Sequence, residues 1–274
     1  MSPGKSHLEA HRATARHRLR ADRILIALPV FNEAGHVAEV LHAVRRYAAH
    51  ILVVNDGSTD GTRQALDGDA GLRLIHHETN LGYGRSLIDA FAYAGAQEFT
   101  WVLTMDCDRQ HEPDCLPRFY RALARDDADI ISGSRYLPPG APGPAGAPPE
   151  RVAINQAITR LLNEHLGLHL TDAFCGFKAY RTAALARLRL TDPGYGLPLQ
   201  VWVQASRQGL TITEIPVPLI YHDGRRNFAG RLEDPRVRME YYLTVLEREL
   251  KCDVHHEVAQ WWHGAADARR PAVS

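Results

Sequence analysis

Short continuous apolar runs alternate along this chain with segments whose apolar positions recur every three or four residues. Ile24-Leu25-Ile26-Ala27-Leu28 and Ile51-Leu52-Val53-Val54 are such runs, the pattern of strands covered on both faces rather than one. Between them Val37, Val40, Leu41 and Val44 share one helical face, with Asn32 as a candidate N-cap. Leu72–Ile75, Trp101–Met105 and Asp129–Ser132 repeat the strand pattern, and a helical pattern from Ser86 to Ala96 separates the first two. Alternating strand and helix predicts an α/β fold with a doubly wound, mostly parallel sheet. Arg151 to Leu168 reads as an amphipathic helix with Ile154, Ala157, Ile158, Leu161 and Leu162 on one side. Thr211 to Tyr221 reads as a β-segment, placed near an edge by Pro216 and Pro218. Asp234-Pro235 opens a last helix reaching about Lys251, with Asp as N-cap and Pro at the first helical position.

The boundaries follow from where the pattern stops. Residues 1–22 are rich in Arg, His, Ala and Ser and lack the apolar core of a secretory signal, so they predict a basic, disordered tail. Residues 23–252 form the folded domain, interrupted at 138–149 by a Pro/Gly/Ala-rich mobile loop, and 253–274 read as a C-terminal tail. The sequence has 32 basic and 32 acidic residues, so its net charge gives no reason to expect nucleic acid as a partner. No apolar stretch approaches the roughly 20 residues of a spanning helix. Cys107, Cys115, Cys175 and Cys252 show no C-x-x-C spacing, which predicts a reducing, cytoplasmic setting. Contact with a membrane surface would then be peripheral, through the basic tail or the 151–168 face.

The chemistry collects at strand ends. Trp101–Met105 delivers Asp106 and Asp108, one residue apart, to the loop at its carboxyl end. Parallel sheets bind ligands just beyond those ends, and paired carboxylates there suit Mg²⁺ or Mn²⁺ shared with substrate phosphates. Alone, such a pair is ordinary loop charge. Pro29-Val30-Phe31-Asn32-Glu33 follows the first strand, however, and Asn55-Asp56-Gly57-Ser58-Thr59-Asp60-Gly61-Thr62 follows the second. Asp56 suits an N–H of a nucleobase, and the glycines permit close backbone approach. Asn80-Leu81-Gly82-Tyr83-Gly84-Arg85-Ser86 opens a helix whose N-terminal amides, with Arg85, suit phosphate.

Together these loops resemble the family 2 nucleotide-sugar glycosyltransferases, which have the GT-A fold, over roughly Arg23 to Leu250. Asp106-Cys107-Asp108-Arg109-Gln110-His111 matches the form Asp-x-Asp-x-Gln-His of the dolichyl-phosphate mannose synthase branch. Gly133-Ser134-Arg135-Tyr136, Asp172-Ala173-Phe174-Cys175-Gly176-Phe177-Lys178 and Glu214-Ile215-Pro216-Val217 suggest the same branch. The resemblance implies a UDP- or GDP-sugar donor, with Glu33 and Asp56 on the nucleoside. Pro29, Val30, Gly82 and Arg85 complete the donor-binding set. It further implies that Asp106, Asp108 and Gln110 hold metal and diphosphate. Arg135 would face an acceptor phosphate, with Arg151 beside it. The alternative for Arg135 is a structural ion pair. Arg225 or Arg226 would assist the leaving group, the two not being distinguished by the loop around them. Cys175 and Lys178 stand where the branch commonly has Ser and Arg, and Asn55 where many relatives have Asp.

The implied reaction is transfer of one sugar with inversion, since the Gln-x-x-Arg-Trp pattern of processive synthases is absent from the sequence. An acceptor phosphate such as polyprenyl phosphate is already anionic and needs no base. A hydroxyl acceptor, on a small molecule or a protein, needs one, and Asp172 is the candidate. Two other classes compete. A nucleotidyltransferase usually carries a Gly-rich, basic loop after its first strand, and Pro29–Glu33 is not one. A silent sugar-nucleotide binder has no use for both carboxylates.

Overall fold

In the computed structural model, which describes residues 23–107, 111–137, 147–218 and 230–256, the apolar runs are strands of one seven-stranded sheet. In chain order the elements begin β1 (Ile24–Val30), α1 (Val37–Val44), β2 (Ile51–Asp56), α2 (Thr62–Asp67), β3 (Arg73–His77) and α3 (Tyr83–Ala96). They continue with β4 (Trp101–Thr104), α4 (Leu116–Arg125), β5 (Ile130–Ser134), α5 (Pro149–Leu166), β6 (Lys178–Arg181) and α6 (Thr182–Leu185). The last three are α7 (Leu197–Arg207), β7 (Ile212–Pro216) and α8 (Pro235–Leu250). The strand order is β3-β2-β1-β4-β6-β5-β7. All neighbours run parallel except β6, which is antiparallel to both β4 and β5.

Alternation along the central strands explains the double winding. Leu25, Ala27, Leu52, Val54 and Val102 point into one core with Leu87, Ala90 and Phe91 of α3, Ile158 and Leu161 of α5, and Trp202 of α7. Ile24, Ile26, Leu28, Ile51, Val53 and Leu103 point to the opposite side, against Val40, Leu41, Phe119 and Leu123. The predicted strands therefore stand, with β7 at an edge as its prolines require. Asp234 caps the last helix as expected, its side chain accepting from the Arg236 amide at 2.8 Å.

Three expectations are corrected, and one strand was not foreseen. Asn32 is not a helix cap: it takes a left-handed φ of 56° and its side chain accepts from the Thr59 amide at 2.8 Å. The cap position of α1 is His36, with no side-chain cap bond. Pro149, expected in the mobile loop, opens α5; residues 138–146 lie outside the described ones, as does the rest of the β-segment after 218. The unforeseen strand is β6. It is too short and polar-flanked to show as an apolar run, yet Lys178 is paired across to Thr104 on one side and Ser132 on the other. The stretch expected as a tail from 253 begins docked, because Val254 is fully buried. His255 clamps it, its Nδ1 lying 2.7 Å from Glu247 Oε1 and its Nε2 3.1 Å from Glu240 Oε1.

Hydrogen bonding to Glu247 and the charges of both glutamates raise the His255 pKa. A raised folded pKa stabilises fully below the ordinary histidine value, near 6.5, and the gain disappears as the pH rises through the folded value. The unfolding midpoint of the wild type should therefore exceed that of His255→Gln between about pH 5 and 6.5, by an amount worth roughly 0.2–1 kcal/mol for a partly exposed pair. The gap should close as the pH rises through the folded value. A constant gap across that range would assign the contribution to packing rather than charge.

Candidate active site

The parallel strands β1, β2 and β4 end on one edge of the sheet, and side chain–backbone bonds lace their loops together. The Asn32 amide donates to Ser58 Oγ at 2.9 Å, Glu33 to Thr62 Oγ1 at 2.8 Å and Ala34 to Asp60 Oδ2 at 3.1 Å. The turn chemistry of residues 55–62 is thus what holds the Pro29–Glu33 loop. Asp56 reaches the other way and accepts the amides of Leu81 and Gly82 at 2.8 and 2.9 Å. Glycine is required where these loops touch. A Cβ on Gly57, at φ +68°, would lie 2.3 Å from the Thr79 carbonyl carbon. One on Gly82, at φ +105°, would lie 2.3 Å from the Pro193 oxygen.

The laced loops wall a cavity of about 830 Å³. Pro29, Val30, Glu33, Asp56, Gly82 and Asp106 line it, as do Arg135 and Arg151. The structure thus brings most of the expected donor and acceptor residues into one space. Two expected residues stand outside the lining. Arg85 turns back along α3 onto Asp89, with Nε–Oδ2 and Nη2–Oδ1 separations of 2.9 and 2.8 Å. Asp172 is fully buried behind Arg135. Asp108, Gln110, Arg225 and Arg226 lie outside the described residues.

Asp106 is held where β4 ends. Its amide donates to His111 Nδ1 at 3.0 Å, which leaves that ring nitrogen an acceptor. The 3.7 Å approach of Asp106 Oδ2 to the same nitrogen is therefore no ion pair. Tyr83 donates its hydroxyl to Asp106 Oδ1 at 3.1 Å, and burial and the nearby carboxylate keep that phenol protonated by raising its pKa. Gly176 leaves the room: a Cβ there would sit 2.6 Å from Asp106 Oδ2. A half-exposed carboxylate with such space around it is a hard oxygen donor of the kind Mg²⁺ and Mn²⁺ take.

Arg135 and Asp172 form a forked pair, Nε–Oδ2 at 2.5 Å and Nη2–Oδ1 at 2.8 Å. Asn155 Nδ2 and the Phe174 amide donate to the same carboxylate at 2.7 and 3.1 Å. Burial alone would raise the Asp172 carboxyl, but the charge and hydrogen bonds of Arg135 outweigh it and hold the group well below the usual carboxylate range. So held, it is a poor proton acceptor. Glu214 supports the loop from β7, accepting the amides of Thr171 and Asp172 at 2.8 and 3.1 Å. Beneath lies Lys178, buried against Trp202 with its ammonium 5.2 Å from the ring, and burial lowers its pKa. Burial likewise pushes the Cys175 thiol up to about 11, so it is no nucleophile.

The family model described as Glycosyl transferase family 2 matches residues 25–189, which include every loop described above up to Asp172. The chain belongs to that family. Among characterised family members, the undecaprenyl-phosphate mannosyltransferase of Micrococcus luteus is 30% identical over 218 residues, covering 76% of this chain and 88% of that one. The polyprenol monophosphomannose synthase of Mycolicibacterium smegmatis is 28% identical over 207 residues, covering 71% and 76%. This glycosyltransferase is therefore of the polyprenyl-phosphate mannose synthase type. Its fold is GT-A. The glucosyl-3-phosphoglycerate synthase of Mycobacterium tuberculosis, crystallised with Mn²⁺, UDP-glucose and phosphoglyceric acid, superposes with a TM-score of 0.67 at 19% identity. That match covers 87% of this chain and 84% of the other.

Sequence patterns could not show the partners of Tyr83, His111 and Asn155. His111 did belong to a quoted motif, but its role as acceptor for the Asp106 amide depends on how the loop folds. Breaking the buried ion pair should be costly. Asp172→Asn, which strands the Arg135 guanidinium, should lower the unfolding free energy in urea by about 3–5 kcal/mol. The wild-type contribution should persist above about pH 4 and fall only as the pH drops through the depressed Asp172 value. A loss below about 1 kcal/mol would show that the pair does not hold this loop.

Proposed function

We propose that this glycosyltransferase moves a single sugar, with inversion, from a UDP- or GDP-sugar to a phosphate-bearing acceptor such as polyprenyl phosphate. The observation that carries this reading is the composition of the cavity. Its lining joins the nucleotide loops and Asp106 to Arg135, Arg151 and Arg238 and to Ile154, Phe174, Tyr195, Leu232 and Tyr242. Guanidinium groups next to an apolar, aromatic wall suit an amphiphilic anion. The two named relatives act, by their names, on undecaprenyl phosphate and a polyprenol phosphate, which supports the same acceptor class.

The chemistry fits. Glu33 and Asp56, with Pro29 and Val30, take the nucleoside, and the Gly82 loop at the N-terminus of α3 faces the diphosphate. Asp106, with Asp108 and Gln110, would hold Mg²⁺ or Mn²⁺ against that diphosphate. When bound, the ion offsets charge on the departing nucleoside diphosphate, a task in which Arg225 or Arg226 assists. Arg151 orients the acceptor phosphate, and Arg135 presents its remaining N–H groups from a position fixed by Asp172. An anionic nucleophile needs no proton removed, which agrees with the engagement of Asp172 by Arg135 and Asn155. Transfer to a hydroxyl is the weaker reading, because its candidate base is a carboxylate whose pKa the paired Arg135 holds down. Among the described residues no helix is long and apolar enough to cross a membrane, so a lipid acceptor would be met at the bilayer surface.

The test is a transfer assay with UDP- and GDP-sugars and Mn²⁺, offering either a polyprenyl phosphate or the matching polyprenol. Product should form only from the phosphate. Arg151→Gln should cut kcat/KM for that acceptor about tenfold or more, as expected for a lost charged hydrogen bond, and leave nucleotide binding unchanged. Asp108→Asn should abolish transfer without unfolding the protein. Equal transfer to the polyprenol would overturn the phosphate reading.

A further inference from the structure

Asp56 is nearly completely buried, yet it lines the cavity. Its Oδ1 takes the Leu81 amide and His77 Nδ1, the latter at 2.6 Å, while Oδ2 takes the Gly82 amide alone. A carboxylate offers about four acceptor positions, so one at Oδ2 remains for a ligand. Behind it runs a line of alternating groups. His77 ends β3 with its side chain 7% exposed, and its Nε2 lies 2.9 Å from Asp89 Oδ2. Asp89 on α3 is in turn forked by Arg85. Both ring nitrogens of His77 thus lie within hydrogen-bond reach of a carboxylate, Asp56 on one side and Asp89 on the other. The neighbouring His76 points to the other face of the sheet, toward Asn55 and Asp67, and takes no part.

We propose that His77, backed by Asp89 and Arg85, is a positioning residue that fixes the Asp56 carboxylate so that Oδ2 accepts one N–H of the donor nucleobase. The inference rests on the reading of Asp56 as the nucleoside contact. A simple turn needs only the two amide bonds from Leu81 and Gly82. The ring adds a third partner, at Oδ1, and ties the proposed base-reading residue to α3 through Asp89. An acceptor-only group set against the ring nitrogen of the pairing edge favours uracil N3–H and guanine N1–H over cytosine and adenine, whose ring nitrogen there is an acceptor and which donate on that edge only through their exocyclic amino groups. It also gives Arg85 a role other than phosphate contact.

The test compares nucleobase-dependent with nucleobase-independent binding. Dissociation constants for UDP, GDP, CDP and inorganic pyrophosphate, each with Mn²⁺, are measured by calorimetry on the full chain and on Asp56→Ala, His77→Phe and Asp89→Asn. In His77→Phe the tighter of UDP and GDP should weaken about tenfold, as for loss of a charged hydrogen bond, and its preference over CDP should shrink. Asp89→Asn should show the same direction with a smaller change, and pyrophosphate should bind as to the parent in both. Should His77→Phe fail to fold, Asp89→Asn alone decides. Equal weakening of pyrophosphate and nucleotides would mean general loosening of the loops and overturn the proposal. If Asp56→Ala weakens UDP or GDP while both other variants bind normally, the positioning role falls and the nucleoside reading survives. If Asp56→Ala itself changes nothing, the nucleoside reading falls, and this inference with it.

Discussion

The forked pair between Arg135 and Asp172 is the interaction on which one wall of the cavity depends. Neither charge is tolerable alone at its depth, where an uncompensated ion costs several kcal/mol. Each is therefore held by the other, and the loops carrying them are held with them. Asp172 is anchored in addition by Asn155 from α5 and, through its amide, by Glu214 from β7. Arg135 leaves the end of β5 pointing into the cavity because Asp172 will not let it point elsewhere. The same pairing lowers the Asp172 pKa, in keeping with the proposed acceptor, a nucleophile that arrives already charged.

Around Asp56 and Asp106 the constraint is close approach to glycine. Gly57 lies against Thr79, Gly82 against Pro193, and Gly176 against Asp106, each too close for a β-carbon. The three contacts stack loops from distant parts of the chain into one wall. β6 makes the third possible. By running antiparallel between β4 and β5 it turns the Cys175-Gly176-Phe177 segment back across the sheet edge, beside Asp106 and Arg135 together. Asp106 and Arg135 are thus brought to one cavity by a strand of four residues.

Much of this was legible in the chain. Continuous apolar runs mark strands covered on both faces, so β1, β2 and β4 and the chemistry at their ends could be read directly. What escaped was set by partners far away in sequence. β6 has no apolar run because Lys178 is buried by its neighbours and by Trp202 rather than by its own character. Asn32 looked like a cap, but its side chain belongs to the Thr59 amide across the loop. Asp172 looked like a base because its motif says nothing of Arg135, 37 residues earlier. His77 gave no signal either, since a histidine at a strand end becomes informative only once carboxylates are seen on both ring nitrogens.

A crystal structure with Mn²⁺, the nucleoside diphosphate that binds more tightly, and a short-chain polyprenyl phosphate would test the account most directly. It predicts Mn²⁺ on Asp106 and the acceptor phosphate within hydrogen-bond reach of Arg151 and Arg135. It also predicts the Arg135–Asp172 fork intact and the prenyl chain along Phe174, Tyr195 and Tyr242. An acceptor phosphate bound away from both arginines, or Asp172 released from Arg135 and turned toward the acceptor, would contradict it.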